Sequence, residues 1–510
     1  MKQTPETPSS SLKLRLDWLT TLVPFLCIAL LCVLFMAFPN TSSQLLGSIR
    51  FFLGDQFGAY YLLMGLGAFI CSFYMAFSRF GSIRLGNLEK PQYPAFQWGS
   101  MMFTAGLAAD ILFYSLCEWM LYAGEPHISE MGSVQDWAST YPLFHWGPIP
   151  WSFYIVLAVA FGFMIHVRKR TKQKYSEACR AVLGNHVDGI LGKLIDLTAV
   201  FALLAGTATT FSLATPLLSM AVSQVSGIPE SRLLTIAILV IICVVYTMAV
   251  YFGMKGVSRL AASCVYLFFA LLAYFLFCGG NTRYIAETGL TAIGNLVQNF
   301  IGMATWTDSL RTSSFPQNWT IFYWAYWMVW CVATPFFIGT ISKGRTIRQT
   351  VLGGYFFGLA GTFTSFIILG NYSLGLQMTG KMDFMGLYSQ SQDLYTTIIA
   401  IFETLPMAKL GLILLIVTMI AFYATSFDAL TMVAASYSYK SLHAEEEPDK
   451  RVKLFWAITL MLFPIALIFS ESSMANLQTV SIIAAFPIGF IILLILISFF
   501  KDAKLYLDGK

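Results

Sequence analysis

The sequence predicts an all-α polytopic membrane protein with about twelve transmembrane helices. Three observations carry this prediction: an apolar composition, long uncharged segments, and an uneven distribution of Lys and Arg among the loops. Of the 510 residues, 57% are apolar and 11% are charged, whereas soluble domains average about 25% charged residues. This composition excludes a soluble enzyme and a nucleic-acid-binding protein.

Twelve apolar segments are each long enough to cross about 30 Å of hydrocarbon as a helix that rises about 1.5 Å per residue. Helices are favoured over barrel strands because the apolar runs are continuous, whereas barrel strands alternate over about ten residues. The segments are 18–38, 58–78, 97–122, 150–167, 194–222, 233–253, 258–278, 319–341, 351–371, 408–434, 454–471 and 475–500.

The positive residues predict the orientation, since Lys and Arg accumulate in cytoplasmic loops. The N terminus and the loops after the even-numbered segments hold 25 of the 31 Lys and Arg residues. The other loops hold six, and none of these lies in the loop 123–148. This bias predicts that both termini are cytoplasmic and that the protein is a multi-pass protein of the cell (inner) membrane.

One further apolar stretch, 285–305, is interrupted by Gly289, Gly294 and Gly302. A thirteenth span here would invert every later loop, so an interfacial or re-entrant helix is predicted instead. Two blocks of five spans would face opposite ways, because five is odd, as in inverted-repeat transporters. The predicted organisation is a cytoplasmic tail (1–17), two peripheral N-terminal transmembrane helices (18–96), a first five-helix block (97–278), an external loop with the interfacial helix (279–318), a second five-helix block (319–500) and a cytoplasmic tail (501–510).

The most informative segment is 319–330, which reads WTIFYWAYWMVW. Five of its rings fall on one helical face. Such ring faces attract a cation that has no hydrogen to donate, while the rings bury its methyl groups, so a quaternary ammonium ligand is indicated. The alternatives are core packing or an interfacial aromatic belt, although eleven residues rise about 16 Å, to roughly the bilayer midplane. We call these residues the aromatic stripe: Trp319, Tyr323, Tyr326, Trp327 and Trp330.

Residues 319–327, followed by ISKGRTIR at 341–348, resemble the signature of the betaine/carnitine/choline transporter (BCCT) family, W-T-x-F-Y-W-A-W-W and I-S-R-G-R-T-[IV]-R. The resemblance extends over most of the chain: 195–200 and 206–210 look like the family's fifth helix, and 501–504 is similar to the carnitine/γ-butyrobetaine exchanger branch. It implies twelve transmembrane helices, a LeuT-like inverted five-helix repeat, a homotrimer and an aromatic substrate box on the eighth helix.

By position, the resemblance assigns the substrate box to the aromatic stripe. Tyr326 departs from the family's usual Trp at its position. The exchanger branch has an aromatic residue after its third-helix glutamate, where this chain has Leu121, with Tyr122 beside it. Tyr122 is therefore added to the expected substrate-binding residues, and the box is expected to be reshaped.

Asp110 lies in the middle of the third predicted span. A charge there costs about 2.5 to 3.5 kcal/mol on insertion scales, which makes it a functional-site candidate. Residues 105–111 resemble a family G-M-G-I-G stretch that runs close to substrate and ends in Asp in some choline-type members, although only Gly106 of the three glycines is kept. The alternative is an aspartate that is protonated or paired to a neighbouring helix. Glu118 matches a family glutamate and is interpreted as a pairing group.

A cation site is predicted at Phe422, Thr425 and Ser426, which resemble the sodium site of the betaine-symporter branch. Neighbouring hydroxyls are also common in membrane-helix packing. The arginine and methionine of the sodium-independent exchangers are replaced by Cys264 and Thr334. The sequence is therefore compatible with coupling to sodium and with coupling to protons. No cofactor or further metal is expected, because the five histidines have no zinc-site spacing and no phosphate-binding motif occurs.

The sequence therefore predicts a secondary transporter of small quaternary ammonium compounds, not an enzyme, that works by alternating access. Choline is slightly favoured because Asp110 would repel the carboxylate of a zwitterion. Alternatives in the same class are a carnitine/γ-butyrobetaine or glycine betaine exchanger and a sodium symporter. Two alternatives belong to other classes. A membrane-embedded enzyme would need a nucleophile or a set of metal ligands, and an osmosensor would need a long charged terminal domain. The expected partners are the substrate, membrane lipid and, in a homotrimer, two further copies; no nucleic acid is expected.

The orientation can be tested with single cysteines in a background without the native ones. Cysteines at Glu125 and Ser389 should react with an impermeant maleimide added outside intact cells, because both positions lie in predicted external loops. A cysteine at Lys172 should react only after the cells are opened. The reverse labelling pattern would refute the predicted topology.

Overall fold

The computed structural model describes residues 15–106, 108–252, 255–442, 446–469 and 474–509, without the side chains of 249–252, 255–262 and 474–475. Most of the predicted N-terminal tail (1–17) therefore lies outside the described residues, as does Leu107 in the third predicted span. The described chain is helical, with no β-strand and two isolated bridges. The predicted all-α class is confirmed.

In the first half of the chain, helices form in the apolar segments and also in some of the loops between them. They are α1 (Trp18–Ala37), α2 (Pro39–Arg50), α3 (Gly58–Phe77), α4 (Ala95–Ala105), α5 (Ala109–Ala123), α6 (Pro126–Met131), α7 (Val134–His145), α8 (Pro148–Gly162), α9 (Tyr175–Ala178), α10 (Arg180–Leu183), α11 (Ile190–Ser226) and α12 (Arg232–Phe252).

The second half continues in the same way. Its helices are α13 (Lys255–Ala273), α14 (Thr282–Thr305), α15 (Ile321–Trp330), α16 (Thr334–Ile341), α17 (Ile347–Ser365), α18 (Asn371–Met378), α19 (Phe384–Ser391), α20 (Leu394–Glu403), α21 (Ala408–Tyr437), α22 (Lys450–Phe469) and α23 (Met474–Leu507). Wider π-type turns extend several of them, at Phe51–Gln56, Phe163–Val167, Tyr274–Cys278, Pro316–Thr320 and Phe366–Gly370.

The apolar helices are those of a multi-pass membrane protein. Among the described residues, eight are long and apolar enough to cross a bilayer, or up to eleven if each of three bent pairs counts as one span. The sixth predicted span, 233–253, coincides with α12. Large apolar side chains on the outer surface, including Leu30, Leu63 and Phe356, are more than half exposed. Exposing these apolar side chains to water would be unfavourable, whereas lipid tails are apolar as well.

The first helix of each predicted five-helix block is bent. In the first block, α4 and α5 meet at 64°; in the second, the helix Pro316–Trp330 and α16 meet at 57°. Helix α14 contains the stretch predicted to be interfacial and lies at 112° to the helix Ser263–Cys278 before it. It packs against α7. Helices α6 and α7 lie within 123–148, which the sequence predicts as an external loop without indicating these helices.

The break between α4 and α5 is covered by an indole ring. A Cβ atom on Gly106 would lie 2.5 Å from the six-membered ring of Trp151. The same ring lies over Gly358 of α17, where a Cβ atom would be 2.7 Å away. Backbone that leaves the helix inside a bilayer must be covered by protein. Trp151 provides this cover, and glycine at both positions lets the ring come close.

We expect Gly106→Ala to destabilise the protein, because a rigid ring and two helices would have to shift, an overpacking effect that costs about 1 to 3 kcal/mol. Thermal unfolding in detergent, followed by fluorescence-detected size exclusion, measures it. Gly67→Ala in α3 is the matched control, since nothing lies within 4 Å of its Cβ position, and it should leave the melting temperature unchanged or raise it slightly. Equal melting temperatures for the two variants would contradict this packing.

Candidate functional site

The aromatic stripe lies on α15 and the π-type turn before it, and its residues contact three different regions. Trp319 and Tyr323 lie towards α5 and α7, and Trp327 packs against α8. Trp330, at the other end, is part-buried against Gly206 of α11. The two ends of the stripe therefore contact different parts of the protein, whereas Tyr323, Tyr326 and Trp327 all lie near Trp146.

Trp327 is surrounded by rings from the start of α8. Its ring centroid lies 5.7 Å from that of Trp146, 5.6 Å from Trp151 and 4.7 Å from Tyr154. All four side chains are at most 5% exposed. We call Trp146, Trp151, Tyr154 and Trp327 the aromatic cage. Of these four residues, only Trp327 is among those expected from the sequence.

The local sequence explains how α8 and the turn before it present these three rings. The helix begins at Pro148, a favoured residue for the first helical position. A Cβ atom on Gly147 would lie 2.1 Å from the carbonyl oxygen of Leu143, so only glycine fits this turn. Trp146 lies just before the turn, and Trp151 and Tyr154, three residues apart, share one helical face. The pattern HWGPIPW at 145–151 is the signal in the sequence that could have identified this wall.

The cage has the chemistry of a cation site. A quaternary ammonium group is attracted to rings whose centroids lie within about 6 Å of it. In this conformation the rings contact one another, so a trimethylammonium group would enter only after they separate. Among the described residues, the indole N–H groups of Trp151 and Trp327 have no hydrogen-bond partner. A hydroxyl or carboxylate oxygen on a ligand could accept from them.

Asp110 lies beside the cage and is held by two helices. It is 3% exposed. The hydroxyl of Tyr326 donates to its carboxylate and also contacts the hydroxyl of Thr210 in α11. Asp110 lies in the first turn of α5, where the helix dipole favours negative charge. The ring of Tyr326 lies 6.5 Å from that of Trp146 in the cage, so the structure brings Asp110 and Tyr326 to the edge of the aromatic cage.

Glu118, two turns along α5 from Asp110, forms a second buried polar cluster. Its Oε2 accepts a 2.8 Å hydrogen bond from the indole N–H of Trp146, and its Oε1 a 2.6 Å bond from the Tyr122 hydroxyl. The Tyr122 oxygen lies 2.6 Å from Nδ1 of His145, whose Nε2 lies 3.0 Å from Oγ1 of Thr320. The cluster thus joins α5 to the cage and to the helix of the aromatic stripe. Neither His145 nor Trp146 is among the site residues expected from the sequence.

Of the other expected residues, Tyr323 contacts the cage, with its ring 5.8 Å from that of Trp146, whereas Tyr122 and Trp319 pack against each other. Tyr122 is fully buried, and its ring lies 5.3 Å from that of Trp319, whose indole N–H donates to Glu125 at 2.7 Å. Tyr323 stacks on His145 at 4.8 Å. Beyond them, outside the candidate spans, His127 stacks on Trp306 at 3.7 Å. Burial lowers the pKa of His127 to about 4, so its ring is neutral at physiological pH.

The expected cation site lies on α21. Phe422 is buried, and Thr425 and Ser426 are part-buried. The Thr425 hydroxyl donates to the Phe422 carbonyl of its own helix at 3.0 Å, which is ordinary for a threonine inside a helix. Cys264 is buried in α13, which packs against α21.

Comparison with known proteins gives a consistent result over nearly the whole chain. A family model described as BCCT, betaine/carnitine/choline family transporter, matches residues 19–507. The chain is 29% identical to a carnitine transporter of Acinetobacter baumannii over 85% of this chain and 79% of the relative. It is 29% identical to a probable glycine betaine transporter of Desulfitobacterium hafniense, with 94% and 96% covered. It is 30% identical to the glycine betaine transporter OpuD of Bacillus subtilis, with 91% and 90% covered. The resemblance found in the sequence is thereby confirmed: the chain belongs to the betaine/carnitine/choline family of transporters.

Proposed function

We propose that this protein is a secondary transporter of small quaternary ammonium compounds in the cell (inner) membrane, with choline as its favoured substrate. The observation that carries the proposal is the aromatic cage with Asp110 beside it. The cage binds the trimethylammonium head through ring faces and buried methyl groups. Asp110, held by Tyr326, supplies a negative charge that compensates the cation.

Asp110 supports choline over its zwitterionic relatives. Carnitine and glycine betaine carry a carboxylate as well as the ammonium group, and two carboxylates in a poorly screened site repel each other. Choline brings only the positive charge. The second candidate substrate is a zwitterion of this kind, and the names of the relatives favour it. The unpaired indole donors of Trp151 and Trp327 could bind its carboxylate.

Alternating access would move one five-helix block against the other around the cage. The bends at corresponding positions, in the first helix of each block, support a LeuT-like inverted repeat, since such transporters bind substrate at broken helices near the bilayer midplane. The driving force could be sodium, protons or the membrane potential. A monovalent cation gains about 2.3 kcal/mol per 100 mV on entering a negative-inside cell, roughly fifty-fold accumulation without any coupled ion.

Counterflow tests the function directly. Liposomes containing the purified protein are preloaded with unlabelled choline, glycine betaine, carnitine or γ-butyrobetaine, and uptake of labelled substrate is measured with and without sodium, a pH gradient and a membrane potential. Choline is expected to give the largest counterflow. Faster counterflow of carnitine or betaine would favour the second candidate, and no counterflow of any of the four would refute the proposal.

The cage predicts a graded loss of affinity. Trp327→Ala removes a ring–cation contact worth about 0.5 to 2 kcal/mol and should weaken choline binding about two- to thirty-fold, plus the loss from packing. Trp327→Phe, which keeps a ring with a weaker quadrupole, should lose less. Trp324→Phe is the control, because Trp324 lies on the same helix but packs against Gly65 of α3. Isothermal titration calorimetry measures the Kd values, and equal losses in Trp327→Phe and Trp324→Phe would indicate a purely structural role.

Asp110 predicts the substrate preference. Asp110→Asn and Asp110→Gly remove the charge and should move the ratio of choline to betaine and carnitine affinities towards the zwitterions. Counterflow and calorimetry with the three substrates measure this ratio. A choline preference that stays unchanged in both variants would show that Asp110 does not face the substrate.

A further inference from the structure

Glu118 is a buried ionisable group to which the transport proposal assigns no role. Its carboxylate is fully buried and lies directly behind one wall of the aromatic cage, where it holds the indole N–H of Trp146. Buried ionisable groups inside a membrane protein are rare and usually functional. Its other oxygen leads through Tyr122 to His145, so the carboxylate is one end of a hydrogen-bonded chain.

The direction of this chain follows from the hydrogens available. The Tyr122 hydroxyl has one hydrogen, and it donates to Glu118. Nδ1 of His145 must then donate to the Tyr122 oxygen, so in a neutral ring Nε2 is the acceptor and Thr320 is its donor. The reversed chain fits the same distances: protonated Glu118 donates to Tyr122, Tyr122 to Nδ1, and Nε2 to Thr320. The two directions differ by one proton on the Glu118 carboxyl.

We propose that Glu118, Tyr122 and His145 form a second proton-binding site, separate from Asp110, that couples proton occupancy to the position of Trp146 and hence to substrate affinity. The inference rests on the proposed function, because it needs a cation in the aromatic cage. Glu118 is then a positioning residue that acts through Trp146, and the proton is a second ligand of the transporter.

Loading of the site is a balanced transfer along the chain. A hydronium ion on the side predicted to be external gives a proton to the Thr320 hydroxyl and leaves as water, while the original Thr320 hydroxyl proton passes to Nε2 of His145. The proton on Nδ1 passes to the Tyr122 oxygen, and the original Tyr122 proton passes to Oε1 of Glu118. The imidazole ends neutral as the other tautomer, Tyr122 ends as a phenol, and Glu118 ends as the neutral acid.

Among the described residues, several other ionisable groups lie around Glu118. On α5 itself, Tyr114 and Cys117 lie near the Glu118 carboxylate. His145 on α7 lies 3.9 Å from Glu118, and Tyr323 from the stripe helix also faces it. Further groups facing α5 are Tyr395 of α20, near Cys117, and Tyr423 of α21, near Asp110. His145 is the one imidazole among these groups.

Protonation has two effects of the same sign. A neutral acid accepts the Trp146 N–H bond more weakly than a carboxylate does, because charge-assisted hydrogen bonds are about twice as strong. It also removes the negative charge behind the cage. Choline affinity should therefore fall as the pH falls through the titration of Glu118, and choline binding should release a proton. The apparent Kd should rise by up to about tenfold per pH unit for each linked proton.

Proton linkage can be counted directly with the full-length protein in detergent. Choline binding is measured by isothermal titration calorimetry between pH 5 and 9 in pairs of buffers with different ionisation enthalpies, which yields the number of protons released per choline. Wild type is expected to release protons on binding choline, and Glu118→Gln is expected to release fewer protons per choline than wild type. Asp110→Asn should keep the Glu118 contribution. Glu125→Gln, which changes an outer glutamate bonded to Trp319, should match wild type.

Tyr122→Phe provides a second and conservative variant. It keeps the ring but removes one donor from the ionised carboxylate, so the pH of half-maximal proton release should rise. A purely structural role for Glu118 would leave this pH unchanged. The proposal is overturned if wild type binds choline without releasing protons, if Glu118→Gln releases as many as wild type, or if Asp110→Asn alone abolishes the release. Absence of choline binding by wild type would instead refute choline as the substrate in the proposed function.

Discussion

Inside a bilayer the backbone can leave a helix only where protein covers it, and this constraint determines where the site lies. The third predicted span breaks near Gly106, and the Trp151 ring covers that break. The same ring is one wall of the aromatic cage, so the element that makes the break tolerable also forms the binding surface. Asp110 follows the break at the start of α5, where unpaired backbone N–H groups favour a negative charge.

Two buried carboxylates on α5 lie next to the cage, and each accepts a hydrogen bond from a tyrosine hydroxyl. Asp110 accepts from Tyr326, and Glu118 from Tyr122 and Trp146. In a low-dielectric interior an unpaired carboxylate is strongly disfavoured, so these hydrogen bonds are a condition for keeping the charge there. Tyr326, which replaces the tryptophan of the family pattern, is therefore suited to an aspartate at position 110 because an indole would present its donor from a different place on the ring.

The rings of the aromatic stripe make different contacts although they share one helical face. Trp327 joins the cage, Tyr326 holds Asp110, Tyr323 stacks on His145, and Trp319 donates to Glu125. An aromatic face attracts whatever positive or polar edge packs against it, so neighbouring helices decide the role of each ring. A periodic stripe identifies the face and leaves these roles undetermined.

The sequence by itself determined the helical membrane class, most of the apolar spans and the family, because these depend on composition, run length and short motifs, which are local. It also predicted Trp327, Tyr326 and Asp110 as site residues. The sequence did not predict helix α7, because its average hydropathy is low and it contains Pro142. Only the tertiary structure brought Trp146, Trp151 and Tyr154 onto Trp327, and Glu118 onto Trp146. Those contacts join residues up to about 180 positions apart on separate helices, and the periodicity of one helix contains no information about which face of another will pack against it.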